Sequence, residues 1–147
     1  MRILILTLLL GFTPLIANAN PHDVYGIWLT EAGDGHIEIS DCGDGTPCGV
    51  LVWVDPIKLS TDRDAQNPDP MLQERPLVGV PIVWGYDAGR NSWRRGQIYN
   101  PEDGKTFSSS MKKLENGNLK VKGCLGPLCI TNIWTHVDQS SGKGGPS

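Results

Sequence analysis

The chain has 147 residues, 39% of them apolar and 20% charged, which sets it apart from a disordered tail and is short for two domains. Its formal charge of −3 has the wrong sign for generic nucleic-acid binding, so no nucleic-acid partner is expected. With 18 Gly and 11 Pro, it should be built from short elements joined by tight turns.

Residues 1–19 read as an export signal. Arg2 supplies the positive start, Ile3 to Leu10 the apolar stretch, and Ala17-Asn18-Ala19 a small-residue cleavage site. The apolar stretch is too short to span a bilayer and no second one follows, so no transmembrane segment is expected. The expected destination is the periplasm or the medium. Residues 20–138 are expected to form one domain, and 139–147, rich in Ser and Gly, a disordered tail.

Eight strands follow in order: Tyr25–Thr30, His36–Asp41, Gly49–Val54, Val80–Tyr86, Trp93–Tyr99, Lys105–Met111, Leu119–Gly123 and Ile130–Val137. Several alternate apolar and polar residues and are rich in β-branched or aromatic side chains. Asp-Gly and Asn-Gly pairs at Asp34-Gly35, Asp44-Gly45, Asp103-Gly104 and Asn116-Gly117 mark hairpin turns. No long 3.6-residue period is present. Eight short strands in hairpin succession predict an all-β, antiparallel up-and-down barrel, whose closure removes exposed sheet edges.

The segment from Asp55 to Gly79 interrupts this pattern, because Pro56, Pro68, Pro70 and Pro76 forbid a central strand. Asn67 to Arg75 reads as a short helix with Asp69 as cap, Pro70 in its first turn and Pro76 as its stop. The long loop should cover one end of the barrel or form a lid, with Met71, Leu72 and Leu77 as its apolar plug.

Four cysteines admit three pairings. Cys42 and Cys48, and likewise Cys124 and Cys129, are close enough in sequence to staple hairpins, and export favours disulfides over zinc. Local pairing is therefore favoured, each bridge contributing about 2 kcal/mol on the loop-entropy account.

Gly26-Ile27-Trp28 resembles the Gly-x-Trp near the start of lipocalin-like (calycin) barrels, where the Trp closes the base. A wider set of blocks resembles the bacterial exported family designated domain of unknown function 2147. These blocks are Gly26 to Trp28, Cys48 to Trp53, Asn67 to Pro70, Arg75 to Gly79, Gly96 to Phe107, Lys120 to Cys124, and Trp134-Thr135. The resemblance implies a small exported barrel and no particular activity.

No catalytic constellation emerges. Glu102-Asp103 and Asp62-x-Asp64 are the carboxylate candidates, but adjacent Glu102 and Asp103 cannot oppose each other on a strand and fit a hairpin turn better, with Asp103 bonded to its own backbone. Asp62 to Asn67 lacks the Gly and closing Glu of a calcium loop, and His22, His36 and His136 have no ligand spacing. No metal, cofactor or catalytic residue is therefore expected. The aromatic residues are the better lead: Trp28, Trp53, Trp84, Tyr99 and Trp134 on different strands would line a cavity for a small apolar or aromatic ligand. They would equally serve to fill a solid barrel.

Charge is uneven: Asn20 to Asp69 carries −8, and Pro70 to Ser147 carries +4. Arg94, Arg95, Lys112, Lys113, Lys120 and Lys122 suggest a basic outer face that would meet an envelope glycan or lipid headgroup. Three readings follow: a ligand-binding barrel, an envelope interaction module, and a carboxylate-dependent hydrolase. The sequence does not set the oligomeric state.

Overall fold

The structure, a computed structural model, describes residues 20–139. The proposed export signal, and all of the tail beyond Gln139, lie outside the described residues.

Nine strands form one antiparallel sheet: β1 Gly26–Leu29, β2 Gly35–Asp41, β3 Pro47–Val54, β4 Pro81–Trp84, β5 Asp87–Ala88, β6 Trp93–Asn100, β7 Lys105–Lys113, β8 Leu119–Leu125 and β9 Leu128–His136. Each strand pairs with its sequence neighbour, except that β4 passes over the short β5 to pair with β6, and β9 returns to β1. Leaving aside β5, which extends one edge of β6, eight strands close into a barrel. The eight expected strands are therefore all present, and their period-2 patterning is the reason: Ile37 and Ile39 point inward from β2, and Met111, Val121 and Trp134 from β7, β8 and β9.

Part of the core seals one end. Val24, Trp28, Tyr86, Trp93, Met111 and Leu119 are buried there. Residues 20–25 cross beneath them, with Trp28 Nε1 donating to the Val24 carbonyl at 2.8 Å and Trp93 Nε1 to the His22 carbonyl at 3.0 Å. Tyr86 packs over Gly96 and donates its hydroxyl to Ser109 at 2.7 Å. The opposite end is where β3 stops and β4 starts, so the 55–79 connection necessarily lies across it.

The two disulfides pair locally, Cys42 with Cys48 and Cys124 with Cys129, each across a hairpin. The second staples the β8–β9 turn, whose neighbours Leu125 and Leu128 face each other in register.

The short helix is smaller than its sequence suggests. It is a single 3-10 turn, Pro70–Leu72, with Asp69 Oδ1 accepting from the Met71 amide at 3.0 Å. One turn has no face long enough to bury, and Met71 is 90% exposed. Met71 and half-exposed Leu72 therefore do not plug the barrel, a correction to the expectation; Leu77 alone of the three is buried and faces the interior.

Candidate functional site

Above the packed end the barrel is hollow. A cavity of about 780 Å³ opens at the loop-covered end, within the range of small-molecule sites. Ile37, Leu51, Ile98, Phe107, Val121 and Trp134 are among its walls, with Leu59 and Leu77 from the covering loop. Inner-face residues of the β8–β9 hairpin, Leu128 and Ile130, line its mouth and are 76% and 68% exposed. Their apolar faces are left largely uncovered by the described residues. Charges of both signs ring the mouth, the four acids Glu31, Asp34, Glu102 and Asp103 against the three bases Lys58, Arg63 and Lys105.

Of the five aromatic residues expected to line one cavity, the structure places Trp134 and Tyr99 on it. Trp28 is fully buried in the floor, edge-on to His136 at a ring separation of 5.2 Å. Trp53 is 39% exposed on the outside, tilted against His36 at 4.5 Å. The cause is an irregularity in the β2–β3 ladder: His36 pairs with Trp53 but Ile37 pairs with Leu51, so Val52 is the extra residue. One inserted residue flips the following side chains, turning Trp53 out and Val54 in. Trp84 lines a separate cleft of about 460 Å³, shared with Pro68, Pro81, Arg75 and Thr106. Tyr99 borders both spaces.

Tyr99 belongs to a polar cluster that the sequence did not disclose. Asp64 is wholly buried in the covering loop. Its Oδ1 accepts from the Tyr99 hydroxyl at 2.6 Å; its Oδ2 accepts from Asn67 Nδ2 at 2.7 Å and from Arg75 Nε at 2.9 Å and Nη2 at 2.7 Å. Asn67 also donates to the Tyr99 hydroxyl at 3.2 Å. The backbone repeats the connection, Asp64 N to the Arg75 carbonyl at 3.0 Å and Leu77 N to the Asp62 carbonyl at 2.8 Å. Both Asp64 oxygens are thereby committed to fastening the two limbs of the loop to β6. This is the arrangement of an anchor, with the carboxylate wholly buried and charge-paired to Arg75.

Burial, reinforced by the hydrogen bond and charge of Asp64, pushes the Tyr99 hydroxyl from 10.0 up to about 12, partly offset by Asn67 and Arg75. Burial also raises Tyr86. Because the folded value lies above the unfolded one, this stability is intact below pH 10 and lost as pH rises towards 12. Urea unfolding followed from pH 9 to pH 12 should show stability falling above about pH 10, and Tyr99→Phe should flatten part of that fall. An unchanged profile in Tyr99→Phe would contradict the role given to this hydroxyl.

The turn Pro101 to Gly104 locks against the same loop. Asp103 Oδ1 accepts from the Lys105 amide at 3.0 Å, as the sequence suggested, and Gly104, at φ +69°, lies directly against the Gln66 carbonyl. On the outer surface, Arg95 is paired with Asp87 at 2.9 Å and Lys113 with Asp23 at 3.2 Å, while Lys112 and Lys120 are cross-strand neighbours.

Among solved structures, the protein HP1028 of Helicobacter pylori, described as belonging to the lipocalin family, superposes with a TM-score of 0.67 at 22% identity. The match covers 85% of this chain and 87% of that one, and shows a shared lipocalin-like barrel. A curated relative, the cytoplasmic dynein 1 intermediate chain of Drosophila melanogaster, is 32% identical over 132 residues, covering 88% of this chain. This chain spans only 18% of that relative's length. Residues 26–136, nearly the whole barrel, match the family described as "Uncharacterized protein conserved in bacteria (DUF2147)", and the chain belongs to that bacterial family.

Proposed function

We propose that this protein binds a small, mainly apolar ligand inside the barrel and works in the bacterial periplasm. The observation that carries the reading is the apolar cavity of about 780 Å³, open at one end and floored at the other by Trp28 and the 20–25 segment. A barrel of eight strands has room either for packed side chains or for one small ligand, and this one is packed over only part of its length. The exposed apolar faces of Leu128 and Ile130 at the mouth gain a partner when a ligand enters. The two local disulfides and the bacterial family fit an exported protein.

Ile130→Glu tests this directly. Ile130 is 68% exposed, so a carboxylate there stays hydrated in the empty protein and leaves the fold alone. It should weaken binding of the apolar probe N-phenylnaphthylamine about tenfold, the scale of losing one apolar side chain's contact. Saturable probe binding by the wild type, weakened in Ile130→Glu with thermal unfolding unchanged, is the expected result. Binding that ignores the substitution, or no saturable binding at all, would overturn the proposal.

A further inference from the structure

The cavity walls are mainly apolar, with polar residues around the mouth and, deeper, a pair of hydrogen-bonding side chains on β9 that selects among ligands. On β9, Asn132 and Trp134 are two residues apart, face the same side of the strand and both line the cavity. Trp134 pairs with Leu119 next to the packed floor, which places it deep, with Asn132 above it towards the mouth. Trp134 is 4% exposed, yet no described group accepts from its indole N–H, whereas Trp28 and Trp93 both donate to backbone carbonyls. Among the described residues, no side-chain nitrogen or oxygen is sealed in without a partner, so the Trp134 N–H retains access to open space, and for this inward-facing side chain that space is the cavity. The Asn132 carboxamide is likewise unpartnered among the described residues. Two adjacent hydrogen-bonding groups in an apolar hollow, left unpaired by the protein, are complementary to a polar group on a ligand.

The charges nearby define that group. Among the described residues no cation lines the cavity at this depth: Lys105 begins β7 at the mouth, Arg63 lies in the covering loop, and Lys58 is held at the rim by the Ala32 and Gly33 carbonyls at 2.8 and 3.2 Å. Lys120 and Lys122 pair with Ile133 and Thr131 but alternate with inward-facing Leu119 and Val121, so they lie on the outer face. Among the cavity-lining residues, Glu31 reaches this part of β9, its Oε1 accepting from the Ile133 amide at 3.3 Å. A carboxylate on the ligand would meet a like charge with no counter-ion. From this geometry we infer that the ligand is a neutral amphiphile, bound with a hydroxyl or carbonyl oxygen inward against Trp134 and Asn132 and its apolar body towards the mouth.

This inference rests on the ligand-binding reading, and one experiment separates the two. Decane, decanol and decanoate compete for N-phenylnaphthylamine on the wild type and on Asn132→Leu, a half-buried position where Leu fits an apolar wall. The ratio of decanol to decane affinity should fall about tenfold in the variant, and wild type should bind decanol more tightly than decanoate. In the wild type, the Trp134 indole N–H resonance, assigned by its loss in Trp134→Phe, should shift with decanol and not with decane. An unchanged ratio, tighter binding of decanoate, or an indole resonance indifferent to decanol would overturn the inference while leaving the apolar carrier standing. If none of the three displaces the probe, the ligand-binding reading fails and this inference with it.

Discussion

Replacing Arg75 with Met is expected to destabilise the protein by about 3–4 kcal/mol, because it strands a carboxylate with no water to solvate it. Asp64 is wholly buried and takes two of its four hydrogen bonds from this guanidinium, at 2.9 and 2.7 Å. The remaining two, from Tyr99 and Asn67, come from neutral donors and do not balance the charge. Thermal unfolding should shift down by about 10 °C for a domain of this size. Removing both charges in Asp64→Leu/Arg75→Met should cost less than the sum of the single substitutions, since no uncompensated ion is then left in the interior. Additive losses in that double-mutant cycle would show that the pair does not act as one anchor. The cluster fastens the loop over the cavity, so Arg75→Met should also speed probe release in stopped-flow measurements.

Gly104→Ala is the second large effect, expected at about 3 kcal/mol. Gly104 sits at φ +69°, where a β-carbon is disfavoured, and an added methyl would overlap the Gln66 carbonyl. Backbone cannot rotate away as a flexible side chain can, so the β6–β7 turn and the covering loop must separate. Gly117→Ala provides the control: its φ of +86° carries a similar conformational penalty, but its added carbon meets open space. Chemical denaturation should therefore rank Gly104→Ala well below Gly117→Ala. Equal losses would mean that the contact between turn and loop contributes nothing.

How far the sequence disclosed these features depends on the range of the interaction. Strand β2 was legible because alternation is a local property, and the Asp103-Gly104 turn because its side chain bonds its own neighbour. The local disulfides were legible for the same reason. Trp53 was misplaced because alternation breaks at Val52, and nothing in Val-Trp-Val announces an inserted residue. Met71 and Leu72 read as a plug on composition alone, but a three-residue turn gives them no face to bury. The Asp64 cluster spans 35 residues from Asp64 to Tyr99, and only the three-residue step to Asn67 is local. An acidic residue in a Pro-rich loop reads as solvated; that Asp64 is buried follows from the loop folding back on β6, which the sequence does not encode nearby.

Trp134 shows the reverse case. It was expected among the cavity aromatics and does line the cavity, but the open indole N–H beside Asn132 is visible only once each donor's partner is known. The apolar walls and the two polar groups of β9 together give the cavity a direction, closed and polar-tipped below, open and ringed by charges above.

The most direct measurement is native mass spectrometry of the protein isolated from its own cell envelope without refolding. A ligand-carrying barrel predicts a reproducible extra mass, retained under gentle ionisation and lost on denaturation. A mass equal to the oxidised polypeptide alone, under conditions that keep added N-phenylnaphthylamine bound in a control, would contradict the account.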